Sequence, residues 1–194
     1  MLQQAQTIEI HLPEWLHAFA QSYVATTALQ ERMNFVIEAS RRNIAAGTGG
    51  PFAAAIFERS TGQLLSLGVN LVPSQGLSIL HAEMVAITLA QRRLGSYNLA
   101  AAQMPECELI SSCEPCAMCF GAVTWSGVRH LVTAATKADA EQLGFDEGDK
   151  PADWQHSLRT RHISVTTNIE RETAASVLAS YASQQGVIYN PDHS

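Results

Sequence analysis

One histidine, one glutamate and two cysteines carry the strongest chemical signal in this sequence. Residues 81–83 read HAE, and residues 115–119 read PCAMC. Cys116 and Cys119 are three positions apart, so on a helix both sulfurs lie on one face and can reach the same ion. The start of a helix lowers the pKa of a thiol, which favours the thiolates that zinc needs. With the imidazole of His81 they supply three ligands, the pattern of a zinc site whose fourth position is kept for water.

Glu83 gives this metal site a second chemical group. Zinc lowers the pKa of a bound water molecule toward neutrality, and a carboxyl two residues from His81 is placed to take the proton and pass it on. A lone Cys-x-x-Cys pair is more often a redox pair, a structural zinc site or two buried thiols. The added HAE run favours a catalytic zinc ion over these alternatives. Cys107 and Cys113 have no such spacing and are expected to be buried outside the site.

Alternating helical and strand patterns surround these residues and must position them. Strands are predicted over 52–58, 63–69, 107–112, 129–135 and 163–167. Helices are predicted over 14–25, 28–46, 82–93, 116–126 and 170–185. His81 and Glu83 then fall at the first turn of one helix, and Pro115 takes the first position of the helix that carries the cysteines. Strands that alternate with helices imply one α/β domain over residues 1–194, with a sheet covered on both faces.

The composition limits the class of protein and its partners. The chain has 194 residues, of which 46% are hydrophobic and 15% charged, so we expect a folded domain with some surface covered in an oligomer. A net charge of −6 and only two lysines disfavour a nucleic acid partner. No apolar run approaches the length of a membrane helix, and the start of the chain lacks the pattern of a signal peptide. Four cysteines within residues 107–119 suit a reducing compartment, so a cytoplasmic protein without membrane contact is expected.

Several segments together resemble one enzyme family. They are the HAE and PCAMC runs, GGPF at 49–52, Asn70, SCEPCAMC at 112–119 and GFDE at 144–147. An HxE pair followed by PCxxC is the signature of zinc deaminases, and over roughly residues 28–155 the chain resembles the cytidine deaminase-like superfamily, in particular its guanine deaminases. The resemblance implies a three-layer α/β/α fold with a central mixed five-stranded sheet. It also implies one Zn²⁺ per subunit and the hydrolysis of guanine to xanthine and ammonia.

The resemblance further implies which residues bind the base. Asn70 hydrogen-bonds the purine through its amide, Phe52 forms a wall beside the ring, and the backbone N–H of Ala82 meets the purine oxygen. Trp125 is a further candidate for the pocket lining, but for a tryptophan beside a glycine turn packing in the core is favoured over that role. Core packing is also the alternative for Phe52. The alternative for Asn70 is an asparagine that only ends a strand.

A second acid and the end of the chain complete the implied site. In the family, an acid at the position of the GFDE run assists proton transfer to the departing amine, and Glu147 is the choice here, with Asp146 as the alternative. Tyr189 lies in the tail, residues 186–194, which resembles a segment that closes the pocket, in some relatives across a dimer interface. A frayed terminus is the alternative for this tail. A homodimer is expected, and the role of the helical extension, residues 1–27, stays open.

Three other functions compete with this interpretation. A tRNA adenosine deaminase or a cytosine or cytidine deaminase shares the zinc residues, although a tRNA enzyme needs a basic surface that the charge balance argues against. A zinc-binding module without catalysis does not need Glu83. A thiol-disulfide protein predicts that Cys116 and Cys119 oxidise readily and that chelators do no harm. Because aminated triazinones show the same amino-oxo edge as guanine, they are expected as secondary substrates.

Overall fold

Strands and helices alternate along the computed structural model, which describes residues 4–191. The strands within that range are β1 Ala53–Glu58, β2 Leu64–Val69, β3 Cys107–Cys113, β4 His130–Ala135 and β5 Ser164–Thr166. The helices are α1 Glu14–Gln21, α2 Leu29–Ala45, α3 Val72–Gln75, α4 Ala82–Leu94, α5 Ala117–Ser126, α6 Lys137–Glu141, α7 Trp154–Arg159 and α8 Arg171–Ser183. No helix among these residues is both long and apolar enough to cross a membrane.

The five strands form one mixed sheet in the order β2-β1-β3-β4-β5. β1 pairs antiparallel with β2 and with β3, whereas β3, β4 and β5 are parallel. Successive side chains of β1 point to opposite faces, since Ala55 and Phe57 belong to the apolar cluster that includes α2 and α8, and Ala54 and Ile56 to the cluster that includes α4 and α5. Helices therefore cover both faces, which confirms the three-layer α/β/α fold with a mixed five-stranded sheet.

The first predicted helix ends four residues early, the other four predicted helices agree within two residues at each end, and three short helices were not predicted. The first helix stops at Gln21 instead of continuing to residue 25. Cys116 is the N-cap residue of α5, with an extended ψ of 176°, so Pro115 lies outside the helix rather than at its first position. α3, α6 and α7 have only four to six residues each, too few for a helical period of apolar residues to show in the sequence.

The amino-terminal extension packs on the domain through α1. Leu16 is buried in the same apolar cluster as α2. Phe19 stacks on Phe35 of α2 with ring centroids 4.6 Å apart, and the hydroxyl of Tyr23 donates a hydrogen bond to the carbonyl oxygen of Gly62 at 3.0 Å. The described part of residues 1–27 thus belongs to the packed domain.

Candidate active site

His81, Cys116 and Cys119 converge because two helices begin at the same place. His81 is the N-cap residue of α4, and Cys116 is the N-cap residue of α5, which follows β3. The Nδ1 atom of His81 lies 3.4 Å from Sγ of Cys116 and 3.6 Å from Sγ of Cys119. All three candidate ligand atoms lie within 4.8 Å of one another. The structure thus brings together the three residues that the sequence selects as metal ligands.

These distances fit a tetrahedral zinc ion. Zn–S bonds of about 2.3 Å and Zn–N bonds of about 2.0 Å at tetrahedral angles separate the sulfur and nitrogen ligands by about 3.6 Å. The protonation of the cysteines is also suitable. The neighbouring Cys119 side chain is the largest influence on Cys116 and His81 adds to its effect, so the pKa of Cys116 falls to about 4. Cys119 keeps its proton and has a raised pKa; a bound cation would release that proton.

A cavity of about 320 Å³ is lined by two of the three candidate ligands, His81 and Cys116, while Cys119 is fully buried behind it. This volume lies in the range typical of small-molecule sites. The lining includes most of the residues that the sequence selects: Phe52, Asn70, His81, Glu83, Cys116, Asp146, Glu147 and Tyr189. It also includes residues that were not selected: Val72, Ser78, Cys113, Glu114, Ala117, Met118, Phe145, Gly148, Asn190 and Pro191. His81 and Cys116 thus form one end of a cavity large enough for a heterocyclic base.

Glu83 is the carboxyl nearest to the ligands. It is the second residue of α4 and only 6% exposed. Its Oε2 accepts a hydrogen bond from Sγ of Cys119 at 3.4 Å, and its Oε1 accepts one from Oγ of Ser111 at 3.4 Å. Burial, followed by the negative charge of Cys116, raises the pKa of Glu83. A buried carboxyl beside the candidate ligands is placed to act as a general acid or base.

Glu147 is a second buried carboxyl on the cavity wall. Burial, reinforced by the nearby charges of Cys116 and Glu83, raises the pKa of Glu147 to about 8. Asp146 is exposed at the rim, where its carboxylate accepts a hydrogen bond from the backbone N–H of Gly148 at 2.8 Å. Burial therefore favours Glu147 over Asp146 as the second proton carrier.

Asn70 and Tyr189 present polar atoms that the protein leaves without a partner. The Nδ2 of Asn70 and the hydroxyl of Tyr189 are buried and have no hydrogen-bond partner among residues 4–191. The Oδ1 of Asn70 already accepts a hydrogen bond from the N–H of Val72 at 3.2 Å, so its amide group has a fixed orientation. Burial raises the pKa of Tyr189, which keeps the phenol neutral and able to donate. Because unpaired buried donors are costly, both indicate a ligand with acceptor atoms.

Aromatic rings form the flat part of the wall. The ring of Phe145 lies 5.0 Å from that of Phe52 at 74°, and 5.4 Å from that of Tyr189 at 62°. The sequence pointed to Phe52 and Tyr189 but not to Phe145 as a contact residue, although Phe145 lies inside the GFDE run. The one sequence feature that could have indicated this contact is an apolar side chain between a glycine and an acid within the GFDE run.

The tail that carries Tyr189 is tied down on both sides of this residue. The hydroxyl of Tyr181 donates a hydrogen bond to the carbonyl oxygen of Val187 at 2.9 Å. The amide of Asn190 donates to the carbonyl oxygen of Gly144 at 2.7 Å and accepts from the N–H of Asp146 at 2.9 Å. Residues 186–191 are therefore docked rather than frayed, and residues 192–194 lie outside the described residues.

Three predictions about the site need correction or qualification. Trp125 does not line the cavity and is 86% exposed, because six residues of helix turn it about 120° away from Cys119. Cys113 was expected outside the site but lines the cavity, since it ends β3 at the edge where α5 begins. Ala82 is fully buried as the first residue of α4; its side chain does not line the cavity, and the role of its backbone N–H stays a prediction.

Replacing Gly50 by alanine is expected to disturb base binding. A Cβ atom at Gly50 would lie 2.8 Å from Cε1 of Tyr189 and 3.0 Å from Oδ1 of Asn70, so both side chains must shift. Displacements of this kind cost up to about 10²-fold in rate, and we expect kcat/KM for the base to fall at least about tenfold. Gly47→Asn is the control, because Gly47 has open space around it and asparagine tolerates its positive φ of 64°. Equal kinetics for both variants would contradict the prediction.

Comparisons with known proteins agree with this geometry. The family model for the cytidine and deoxycytidylate deaminase zinc-binding region matches residues 26–135. Guanine deaminase from Bacillus subtilis (strain 168) is 40% identical over 114 residues, which cover 56% of this chain and 69% of the relative. The structure of a guanine deaminase from Nitrosomonas europaea has a TM-score of 0.89 and 45% identity and covers 93% of this chain and 99% of that one.

A further solved structure, in complex with 2,6-diaminopurine, has a TM-score of 0.89 and 48% identity, and the match covers 94% of this chain and 96% of that chain. These similarities extend beyond the metal ligands to almost the whole fold. The match to the family model covers more than half of the chain, and the ligands converge at distances suited to zinc. The chain therefore belongs to the cytidine and deoxycytidylate deaminase family of zinc enzymes, and its relatives over nearly the full length are guanine deaminases.

Proposed function

We propose that this protein hydrolyses guanine to xanthine and ammonia with one zinc ion per subunit. The observation that carries the proposal is the cavity in which two buried donors without partners, on Asn70 and Tyr189, share a small space with the zinc ligands and Glu83. Guanine is flat and rich in acceptor atoms, so it suits these donors and the aromatic wall. The relatives named guanine deaminases support the same substrate.

The residues of the chain then divide the reaction between them. When bound, zinc lowers the pKa of a water molecule so that it becomes a nucleophile near neutral pH. Glu83 would accept one proton from the attacking water and deliver it to the ring nitrogen beside the carbon that bears the amine. Glu147, whose pKa burial raises to about 8, would give its proton to the departing amine and would recover the second proton of the water as the carbonyl of xanthine forms. The products are xanthine and ammonia, which balances guanine plus water.

Binding of the base uses the remaining cavity residues. The amide of Asn70 and the hydroxyl of Tyr189 donate to acceptor atoms of the purine, and Phe52 and Phe145 pack against its ring. The backbone N–H of Ala82, at the start of α4, is proposed to meet the purine oxygen. The related structure with 2,6-diaminopurine supports an aminopurine as the ligand.

The competing functions explain less of this site. A zinc module without catalysis has no use for a buried Glu83 hydrogen-bonded to Cys119. A tRNA substrate fits poorly with a net charge of −6 and with a tail that covers the cavity. Cytosine and aminated triazinones are also small enough to enter the cavity, so an activity assay is needed to rank the bases.

The test is ammonia release from a panel of bases by the zinc-loaded protein. We expect guanine to react at least about 100-fold faster, in kcat/KM, than cytosine, adenosine or guanosine, with a slower reaction of aminated triazinones. If cytosine reacts faster than guanine, the proposed substrate is wrong and the proposed zinc chemistry still holds. No ammonia from any of these compounds above a metal-free blank would reject a deaminase altogether.

A homodimer is the proposed assembly. α5 exposes Trp125 at 86% and Met118 at 36%, and only 15% of the residues are charged, against about 25% in an average domain. Apolar surface of this kind favours a subunit contact. Residues 189–191 line the cavity of their own chain, so this dimer needs no exchange of tails. A monomeric mass by light scattering would contradict the proposal.

We place the protein in the cytoplasm and without a membrane or nucleic acid partner. Cys107, Cys113, Cys116 and Cys119 are all free and buried, and free thiols persist in a reducing compartment. The acidic charge balance supports a small neutral substrate over nucleic acid.

A further inference from the structure

Lys150 is one of only two lysines in the chain, and its ammonium group is almost fully buried. Its side chain is 4% exposed. The Nζ atom donates to the carbonyl oxygen of Pro115 at 2.8 Å, lies 3.4 Å from Oε2 of Glu114, and sits 4.8 Å from the centre of the Trp154 ring. Burying an ammonium group is costly unless its donors are satisfied. These contacts therefore offset the cost of burying the ammonium group of Lys150.

These contacts join two loops that carry site residues. One loop, residues 114–116 between β3 and α5, contains the metal ligand Cys116. The other, residues 145–151, has no regular secondary structure and contains Glu147. The carbonyl oxygen of Glu147 accepts a hydrogen bond from the N–H of Ala117 at 2.9 Å. Three residues later, Lys150 adds a second hydrogen bond between the two segments, to the carbonyl oxygen of Pro115. With no helix or strand to hold it, the second loop owes its position to such bonds.

We propose that Lys150 is a positioning residue for Glu147, an inference that rests on the function proposed above. By holding the end of the Glu147 loop against Pro115 and Glu114, the buried ammonium fixes the distance between the Glu147 carboxyl and the metal ligands. Loss of Lys150 leaves the carbonyl oxygen of Pro115 without this donor and leaves Oε2 of Glu114 with only the backbone N–H of Lys137 at 3.2 Å, so the loop must shift to solvate them. A shift of about 1 Å at a catalytic group is enough to cost 10²-fold in rate.

Lys137 provides the matched comparison. Its Nζ donates to the carbonyl oxygen of Gly148 at 2.9 Å, in the same loop. Its side chain is 32% exposed and also pairs with Glu141, so water can replace its bond to Gly148. The same substitution, lysine to methionine, therefore separates a buried anchor from an exposed one.

The test compares steady-state kinetics for guanine and zinc content in Lys150→Met and Lys137→Met. For Lys150→Met we expect kcat to fall about 10- to 100-fold, with KM changed less than threefold and zinc still at one per chain. For Lys137→Met we expect kcat within threefold of the parent. Loss of zinc from Lys150→Met, an unchanged kcat, or an equal loss in Lys137→Met would overturn the proposal.

A double-mutant cycle shows whether Lys150 acts through Glu147. If it does, Glu147→Gln lowers kcat in the parent chain but changes it less than threefold in the Lys150→Met background, because the interaction has already been lost. If the two effects multiply, Lys150 acts elsewhere and the proposal fails. The two proposals fail in different ways. A parent enzyme without guanine activity rejects the proposed function, whereas an active parent in which the two effects multiply rejects only the positioning role of Lys150.

A second variant guards against loss of the fold. Lys150→Met leaves the carboxylate of Glu114, with a side chain 12% exposed, without its cation. Lys150→Met/Glu114→Gln removes that charge and is expected to unfold at the temperature of Glu114→Gln within a few degrees. Its kcat, compared with that of Glu114→Gln, must still be lower by about 10-fold or more. Equal kcat values for these two folded proteins would overturn the proposal.

Discussion

Glu83→Gln is expected to slow ammonia release from guanine by about 10³-fold while the protein keeps one zinc ion per chain. The amide has nearly the same size as the carboxyl and can still bond with Ser111, so the shape of the cavity is preserved. It cannot take a proton from water or return one to the ring. Burial raises the pKa of Glu83, which favours uptake of a proton by this carboxyl. Turnover of guanine and metal content of the same preparation are the measurements.

Ser111→Ala is the control for this substitution. The hydrogen bond from Oγ of Ser111 to Oε1 of Glu83 is long, at 3.4 Å, so its loss is expected to reduce kcat by less than tenfold. An alternative explanation of inactivity, loss of the metal, is excluded if zinc stays bound to Glu83→Gln. Activity of Glu83→Gln above a tenth of the parent value would show that another group carries the proton.

The zinc ligands and Glu83 could be predicted from the sequence because their arrangement is local. Cys116 and Cys119 share one helical turn, and His81 and Glu83 flank the first residue of another helix. The remaining requirement is that these two helix starts meet, which follows from the order of strands in the sheet. The resemblance to deaminases implied a mixed five-stranded sheet, which the structure confirms, and the structure adds the strand order β2-β1-β3-β4-β5.

The parts of the cavity that depend on packing between distant segments could not be predicted in this way. Helical geometry turns Trp125 about 120° away from Cys119, but the packing of the other elements around α5 decides whether that direction is buried or, as here, exposed. Phe145 becomes a wall because the ring of Tyr189, 44 residues later, packs against it. The anchoring of Lys150 on Pro115 is likewise a contact between two loops. Residue type and spacing carry little information about such contacts.

Removing the metal is expected to abolish activity and to lower thermal stability without unfolding the chain. The ion would join the starts of α4 and α5, which otherwise share few contacts. Zinc at about 1,000 times its Kd contributes about 4 kcal/mol to the free energy of unfolding, and for a chain of this size we expect the Tm to fall by about 10 °C. The core does not depend on the metal, because both faces of the sheet are covered by apolar clusters. After chelation, calorimetry measures the change in Tm, and ammonia release before and after adding Zn²⁺ measures the loss and recovery of activity.

Two cysteine substitutions separate the metal effect from loss of a buried thiol. Cys116→Ala removes a ligand and is expected to match the chelated parent in zinc content, activity and Tm, with no recovery on adding Zn²⁺. Cys107→Ala removes a thiol that is equally buried but belongs to the apolar cluster beneath α4, and is expected to keep its zinc and at least half the activity. A chelated parent that still deaminates guanine would mean that water is activated by the carboxyls alone. The two buried acids would then account for the reaction, and His81 and the cysteines would be needed only for the fold.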